Sequence, residues 1–161
     1  MSQPDFKPER ISRTASFIVN GEIEDVFPLF GPIREKEWAE GWNPEIIFSR
    51  SDLVEEHMIF RTSAPTDEKF YTWVITHYDP SQHLVEYTVS TANRIWFIQV
   101  LCERQVNETK ATVTYTYTGL NTKGNELNRA ALGKMYATDL KDWQQAINHY
   151  LDTGKMLSSK P

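Results

Sequence analysis

Apolar and polar residues alternate along much of the chain, which is the pattern of half-buried strands. Strands joined by short links rich in turn formers must be antiparallel neighbours, because a parallel pair needs a crossover of about a dozen residues. Together the segments predict an antiparallel sheet of about seven strands. They are "RTASFIVN", "EIIFSR", "EHMIFRT", "FYTWVITHY", "HLVEYTVS", "RIWFIQVLCERQ" and "KATVTYTYTG".

The turns between these segments also predict a register for the sheet. If Tyr78 pairs with Leu84 and Cys102 pairs with Val113, nearly all large apolar side chains lie on one face of the sheet. The opposite face then carries mostly threonine and glutamate. A slip of one residue would exchange the two faces. The predicted inward row is Met58, Phe60, Tyr71, Trp73, Ile75, Val85, Tyr87, Val89, Trp96, Ile98, Val100, Val113, Tyr115 and Tyr117.

Helical spacing appears at two places. The segment "GEIEDVFPLF" predicts a short helix that prolines keep short, with a second short turn before strand two. The segment "TKGNELNRAALGKMYATDLKDWQQAINHYLDTG" predicts one long C-terminal helix that stops at Gly154. The apolar stripe of the long helix needs a cover, and the concave face of the sheet is the large apolar surface available. The predicted class is α+β, a curved sheet wrapped around a C-terminal helix with two short helices after strand 1.

Length and charge narrow the class of protein. A chain of 161 residues is read as one domain, 1–161, with a flexible leader at 1–10. The net charge of −5 argues against nucleic-acid binding, and the apolar runs are too short for membrane insertion. The leader lacks the layout of a signal peptide, so a cytoplasmic protein is expected. The lone Cys102, in an apolar strand, is expected to be a buried structural thiol.

The order of elements resembles that of the SRPBCC superfamily, the START-like helix-grip proteins. The local likeness is "VFPLFGPIREKEWAEGWNPEIIF", which is similar to the segment of bacterial polyketide cyclase/dehydrase-like members where short helices lead to strand two. The superfamily also contains lipid-transfer domains, birch-pollen-allergen-like proteins and activators of the Hsp90 ATPase. The resemblance implies a cavity between sheet and long helix that accepts an apolar ligand.

Aromatic residues make up the candidate site. In "WAEGWNP", Gly41 allows a turn and Pro44 extends the chain, so the two tryptophans are expected at one end of the cavity, as a core plug or as ligand contacts. Buried tyrosine hydroxyls need partners, and they serve either the core or a ligand. The candidate ligand contacts are Trp38, Trp42, Phe60, Trp73, Tyr87, Trp96, Ile98, Tyr115, Tyr117, Tyr136 and Trp143.

Candidates for catalysis are few. The four histidines form no ligand pair, so no metal site is expected, and no cofactor motif appears. His77 lies near the end of the inward row, and Asp139 lies about 60° from the centre of the helix stripe. Both are weak acid/base candidates. The alternatives are that His77 is an ordinary strand-end residue and that Asp139 is a solvated carboxylate. The remaining charged residues near the site are Glu35, Glu37 and Glu40, which would gate a pocket mouth or solvate a helix, and Arg61 and Arg94, which the register does not place inward.

Three functions fit these observations. The first is binding or transport of a small hydrophobic ligand, such as a lipid, a polyketide or an aromatic compound. The second is a cyclase or dehydratase that uses the same cavity. The third is a homodimeric interaction module, because the outer face also carries an apolar patch of Val74, Ile95, Phe97 and Leu101. Binding is preferred over catalysis, since no catalytic motif is present.

Overall fold

In the computed structural model, residues 5–158 are described, and they form a seven-stranded antiparallel sheet with helices on one face. The strand order is β1-β7-β6-β5-β4-β3-β2. The strands are β1 (Arg10–Val19), β2 (Glu45–Phe48), β3 (Ile59–Ser63), β4 (Phe70–Asp79), β5 (Leu84–Ser90), β6 (Arg94–Gln105) and β7 (Glu108–Gly119). The predicted α+β helix-grip class is confirmed. Of the predicted leader, residues 1–4 lie outside the described part of the chain, and Arg10 already belongs to β1.

The connection from β1 to β2 crosses the whole sheet, because these strands are its opposite edges. It contains helix α1 (Ile23–Val26) and two 3-10 turns, Phe27–Phe30 and Arg34–Glu37. Acidic residues in the first turn of α1 suit the helix dipole, and Pro28 opens the first 3-10 turn. The apolar side chains of this segment are buried: Ile23, Val26, Phe27, Leu29 and Phe30. The segment therefore closes one end of the inward face.

The predicted register is confirmed for the central strands and is corrected at the β6–β7 turn and near the end of β4. Phe60 pairs with Trp73 and Tyr87 pairs with Ile98, as expected. Between β6 and β7, however, Ile98 pairs with Tyr115 instead of Tyr117, and Cys102 pairs with Ala111 instead of Val113. Gln105 opposite Glu108 leaves a tight two-residue turn at Val106 and Asn107, where Asn107 has φ 60°. A slip of two residues keeps every side chain on its predicted face.

A bulge in β4 corrects the placement of His77. The register shifts between Ile75 and His77, so Tyr78 pairs with Val85 instead of Leu84. The extra residue turns Tyr78 toward the interior, where its ring stacks on Phe27 at 6.0 Å. The His77 side chain is 47% exposed and lies 3.4 Å from a Glu56 oxygen. His77 is thus outside the inward row in which it was expected.

The C-terminal helix is interrupted. It consists of α2 (Thr122–Met135) and α3 (Lys141–Thr153), and the junction places Asp139 and Leu140 in the left-handed region, with φ of 51° and 62°. This conformation costs a leucine about 1–2 kcal/mol. It also allows the Leu140 side chain to be completely buried, and the apolar stripe continues across the break with Tyr136 and Ile147. The predicted stop at Gly154, φ 72°, is confirmed.

The core lies between the inward face and the helices. It contains nearly all of the predicted inward row together with Leu132, Tyr136, Leu140 and Ile147. Cys102 is buried, as expected, and burial raises the pKa of its thiol to about 12, which keeps the sulfur in the unreactive thiol form. No described helix is both long and apolar enough to cross a bilayer.

Candidate ligand-binding site

A cleft of about 580 Å³, the main cleft, lies between the inward face of the sheet and the helices α2 and α3. Small side chains on α2, Ala130 and Ala131, leave this space opposite the large aromatic residues of the sheet. The exposed residues Pro65, Ala137, Thr138 and Asp142 mark its mouth, beside the break between the helices. The sheet contributes Tyr71, Trp73, Arg94, Trp96, Tyr115 and Tyr117, and the helices contribute Leu127, Met135 and Trp143.

A buried ion pair forms one end of the main cleft. Arg94 is 2% exposed, and its guanidinium donates to both carboxylate oxygens of Glu68, at 2.8 and 3.3 Å. It also donates to the Tyr71 hydroxyl at 3.1 Å, and its charge lies 4.8 Å from the centre of the Trp96 ring. This arrangement neutralises the arginine and fixes its orientation. Arg94 was not expected inward, although it lies two and four residues before Trp96 and Ile98 and therefore shares their face.

Glu68 is held in its ionised form by this network. Burial opposes ionisation of the carboxyl, but hydrogen bonds from Arg94, Thr91 and Thr66 outweigh it and lower the pKa of Glu68 to about 2. Asn93 donates to the same oxygen as Thr91, at 3.3 Å. The carboxylate therefore has its acceptors filled by the protein, and this end of the cleft is electrically neutral.

A second, smaller cavity of about 130 Å³, the inner chamber, adjoins the main cleft. Trp73, Tyr115 and Trp143 line both cavities. The other residues of the chamber wall are Glu35, Trp38, Ala39, Trp42, Tyr87, Ile98 and Val100. The inner chamber is thus an aromatic enclosure that holds one carboxyl group.

The 3-10 turn Arg34–Glu37 directs Glu35 into the chamber. Its neighbours Arg34 and Glu37 bond to each other at 2.9 Å, and the Tyr150 hydroxyl donates to Glu37, so both face away from the chamber wall. The Glu35 side chain is half-buried, and the surface that it exposes lines the chamber. Burial raises the pKa of Glu35 well above its ordinary value. No hydrogen bond to its carboxyl group is found among the described residues.

The tryptophans of "WAEGWNP" fix the chamber wall through hydrogen bonds to the preceding turns. The indole N–H of Trp38 donates to the Leu29 carbonyl and that of Trp42 to the Pro32 carbonyl, both at 2.7 Å. Trp38 is 4% exposed and Trp42 is half-buried. Each tryptophan packs in the core with one part and lines the chamber with another, while contact with a ligand stays a prediction.

The tyrosine hydroxyls of the site divide into two groups. Those of Tyr87 and Tyr136 donate to backbone carbonyls, of Phe30 and Val113 respectively. Those of Tyr115 and Tyr117 make no hydrogen bond within the described residues, while their rings line the main cleft. Burial raises the pKa of both Tyr115 and Tyr117, so at neutral pH they offer donors to a bound molecule.

Most of the predicted ligand contacts line one of the two cavities. Two do not. Phe60 is fully buried behind Trp73, with the rings stacked at 5.3 Å, and Tyr136 packs edge-on against Tyr115 in the core. The residues that do line a cavity are Trp38, Trp42, Trp73, Tyr87, Trp96, Ile98, Tyr115, Tyr117 and Trp143.

The predicted acid/base candidates lie outside both cavities. The bulge in β4 turns His77 outward. The Asp139 side chain is 66% exposed and pairs with Arg13 at 3.4 Å, because the break between α2 and α3 removes it from the helix stripe. Glu35, by contrast, had been noted only as a possible gate. Within the described part of the chain, no group of three His, Cys, Asp or Glu residues is suited to hold a metal ion.

Several solved structures have the same architecture as this chain. The ZhuI aromatase/cyclase from Streptomyces sp. R1128 matches with a TM-score of 0.67 at 10% identity, over 94% of this chain and 100% of that chain. Norcoclaurine synthase from Thalictrum flavum, in complex with dopamine and hydroxybenzaldehyde, matches with a TM-score of 0.65 at 11% identity, over 92% and 90% of the two chains. The chain has the helix-grip fold. The expected likeness to the SRPBCC superfamily is therefore confirmed at the level of the fold.

A third solved structure with this architecture is not named as an enzyme. The allergen Ara h 8.0201 matches with a TM-score of 0.63 at 15% identity, over 90% of this chain and 99% of that chain. No protein-family model and no curated protein sequence matches the chain. Two of these three neighbours are named as enzymes and the third is not, so the helix-grip fold does not decide between binding and catalysis.

Proposed function

We propose that the chain binds and carries a small, mainly apolar compound in the main cleft. The observation that carries this proposal is the cleft itself, about 580 Å³ in volume and walled by aromatic and aliphatic side chains. Ligand sites for small molecules are typically about 300–1,000 Å³ and combine apolar walls with a few polar groups. Inside the cleft the polar groups include the free hydroxyls of Tyr115 and Tyr117, and the exposed residues Lys134, Thr138 and Asp142 line its edge.

The chemistry of the walls favours a flat aromatic compound over a fatty acid. The rings of Trp73, Trp96 and Tyr117 line the cleft, where they can contact an aromatic ligand. Of the two cations of the wall, Arg94 already shares its charge with Glu68 and Lys134 is exposed at the edge, so neither offers a buried, unpaired charge to a carboxylate head group. The two free tyrosine hydroxyls suit a ligand that carries a hydroxyl or carbonyl oxygen.

Catalysis of the cyclase or dehydratase type has one supporting observation. A hydroxyl donor such as Tyr117 would polarise a ligand carbonyl without transferring charge to the protein. Against it, the predicted acid/base residues His77 and Asp139 lie on the surface. Binding therefore accounts for more of the site than catalysis does.

The homodimer proposal rests on the outer face of the sheet. The patch residues Val74, Ile95, Phe97 and Leu101 are partly exposed. The guanidinium of Arg10 lies over the Phe97 ring at 5.9 Å and covers part of this patch. The main cleft offers a concave apolar site, which is the shape of small-molecule sites, so we favour ligand binding over self-association.

The proposal is tested by filling the cleft from α2. We expect the uncharged fluorescent probe N-phenyl-1-naphthylamine to bind the wild type saturably, and Ala131→Trp to weaken its binding by about tenfold or more, because the indole occupies the cleft. Glu126→Trp, on the exposed side of the same helix, is the matched control and keeps wild-type affinity. Far-UV circular dichroism checks that both variants fold. Equal affinity in all three proteins would contradict binding in the main cleft.

A further inference from the structure

The inner chamber contains a carboxyl group that no described residue of the chain pairs. Glu35 lies in the wall of an enclosure whose other titratable groups are Tyr87 and Tyr115; the wall contains no lysine, arginine or histidine among the described residues. A carboxylate without a partner in such a place costs several kcal/mol, and folded proteins normally pair it or keep it protonated. Retaining it inside an aromatic cavity points to a partner that comes from outside the chain.

The other walls show what kind of partner fits. Inorganic cations such as calcium and magnesium need several oxygen ligands, whereas this wall supplies mostly ring faces and edges. The rings are set nearly at right angles to their neighbours: Trp42 to Trp73 and Trp73 to Tyr87 at 87°, and Tyr115 to Trp143 at 74°. Aromatic faces around a carboxylate are the environment that attracts an alkylated ammonium group, which is weakly hydrated and interacts with ring electrons.

The volume of the inner chamber limits the size of the head group that it can hold. A cavity of about 150 Å³ is known to accommodate one benzene molecule, so the inner chamber, at about 130 Å³, is suited to a compact head group such as trimethylammonium. The rest of such a ligand has a place to go. Trp73, Tyr115 and Trp143 belong to both cavities, so a head group in the chamber lies directly beside the main cleft.

We propose that the inner chamber binds the ammonium head of an organic cation through Glu35 and its aromatic walls, while the apolar body of the ligand lies in the main cleft. This inference rests on the proposed binding function and narrows its ligand class. Two groups of the wall stay neutral in the process: burial raises the pKa of Tyr87 and of Tyr115, and the nearby Glu35 charge raises both further. Arg34 and Tyr150 are bonded to Glu37 outside the chamber and do not compete.

Binding of a permanent cation is expected to release a proton. Burial favours the protonated form of Glu35 in the empty chamber, and a cation within contact distance favours the ionised form. Affinity for the cation therefore rises with pH until Glu35 is ionised without it, and binding of an uncharged compound shows no such rise. Calorimetry in buffers of different ionisation enthalpy measures the released proton directly.

The test compares benzyltrimethylammonium with its uncharged carbon isostere, neopentylbenzene, by quenching of tryptophan fluorescence. We expect the wild type to prefer the cation by about tenfold or more, and Glu35→Gln to remove this preference while keeping affinity for the isostere. Glu126→Gln, on the exposed face of α2, is the control and keeps the preference.

Each result of this comparison has one interpretation. Equal binding of both compounds by the wild type, or a cation preference that survives in Glu35→Gln, overturns the role of Glu35 in cation binding and leaves the main cleft as a site for apolar ligands. Unchanged affinity of Glu35→Gln for N-phenyl-1-naphthylamine shows that the variant is folded. Failure of that probe to bind even the wild type is the separate result that overturns the proposed function.

Discussion

Two carboxyl groups enclosed by the same fold have opposite surroundings. Glu68 accepts hydrogen bonds from Arg94, Thr66 and Thr91, and its pKa falls to about 2 even though burial acts in the other direction. Glu35 has no such donors, and burial raises its pKa. The contrast teaches that burial alone does not decide the state of a carboxyl group. The partners that the chain supplies decide it.

The difference follows from the elements that hold the two residues. Glu68 lies in the loop before β4 and meets the first residue of β6, so its network joins two parts of the sheet and has a structural role. Glu35 lies in a 3-10 turn in which the Arg34 and Glu37 side chains bond to each other and the Lys36 side chain is exposed. The Glu35 carboxyl makes no hydrogen bond or ion pair with another described residue.

The largest expected effect comes from breaking the Arg94–Glu68 pair. Arg94→Met leaves a buried carboxylate without its partner and should lower the free energy of unfolding by about 3–5 kcal/mol, measured by urea denaturation. In the double variant Arg94→Met with Glu68→Leu both charges are gone, and most of this loss should be recovered. If Arg94→Met lowers the free energy of unfolding by less than about 1 kcal/mol, the pair is no stronger than a surface salt bridge. That result would contradict the contrast between Glu68 and Glu35.

Glu35→Gln is expected to have a smaller effect on stability than Arg94→Met, and to stabilise the protein. A carboxyl whose pKa rises on folding contributes stability below the ordinary glutamate pKa, and this contribution is lost as the pH rises through the raised value. Glutamine cannot ionise, so the variant should melt at a higher temperature than the wild type near neutral pH and at the same temperature in mild acid. Thermal melts across this pH range measure the difference.

The exposed Glu103 provides the control for this measurement. Glu103→Gln replaces a glutamate on the solvated part of β6 and should melt like the wild type at every pH. If Glu35→Gln also melts like the wild type throughout, Glu35 is as well solvated as Glu103, and the contrast with Glu68 disappears.

The faces of the sheet were predictable because alternation is a local property. A two-residue error in the β6–β7 turn did not change which side chains point inward, so Trp96, Tyr115 and Tyr117 were assigned correctly. The bulge that turns His77 outward was not predictable, since no glycine or proline marks it. The left-handed junction at Asp139 and Leu140 is similar: its sequence continues a helical pattern, and only burial of Leu140 explains it.

The two charged residues of the site were missed for different reasons. Alternation with Trp96 was sufficient to place Arg94 inward, but Arg94 is buried only because Glu68 reaches it across 26 positions of the chain. Glu35 had no usable periodicity, because a turn of four residues is too short to show which side faces the interior. Contacts between distant segments, which the pattern does not contain, determine both positions.

The central claim is that a ligand occupies the space between the sheet and the C-terminal helices. The most direct measurement follows the five tryptophan indole N–H signals by NMR while N-phenyl-1-naphthylamine is added. Saturable shifts are predicted for the indoles of the main cleft, those of Trp73, Trp96 and Trp143. Unchanged indole signals, with shifts confined to backbone amides of the outer face at Phe97 and Leu101, would contradict it.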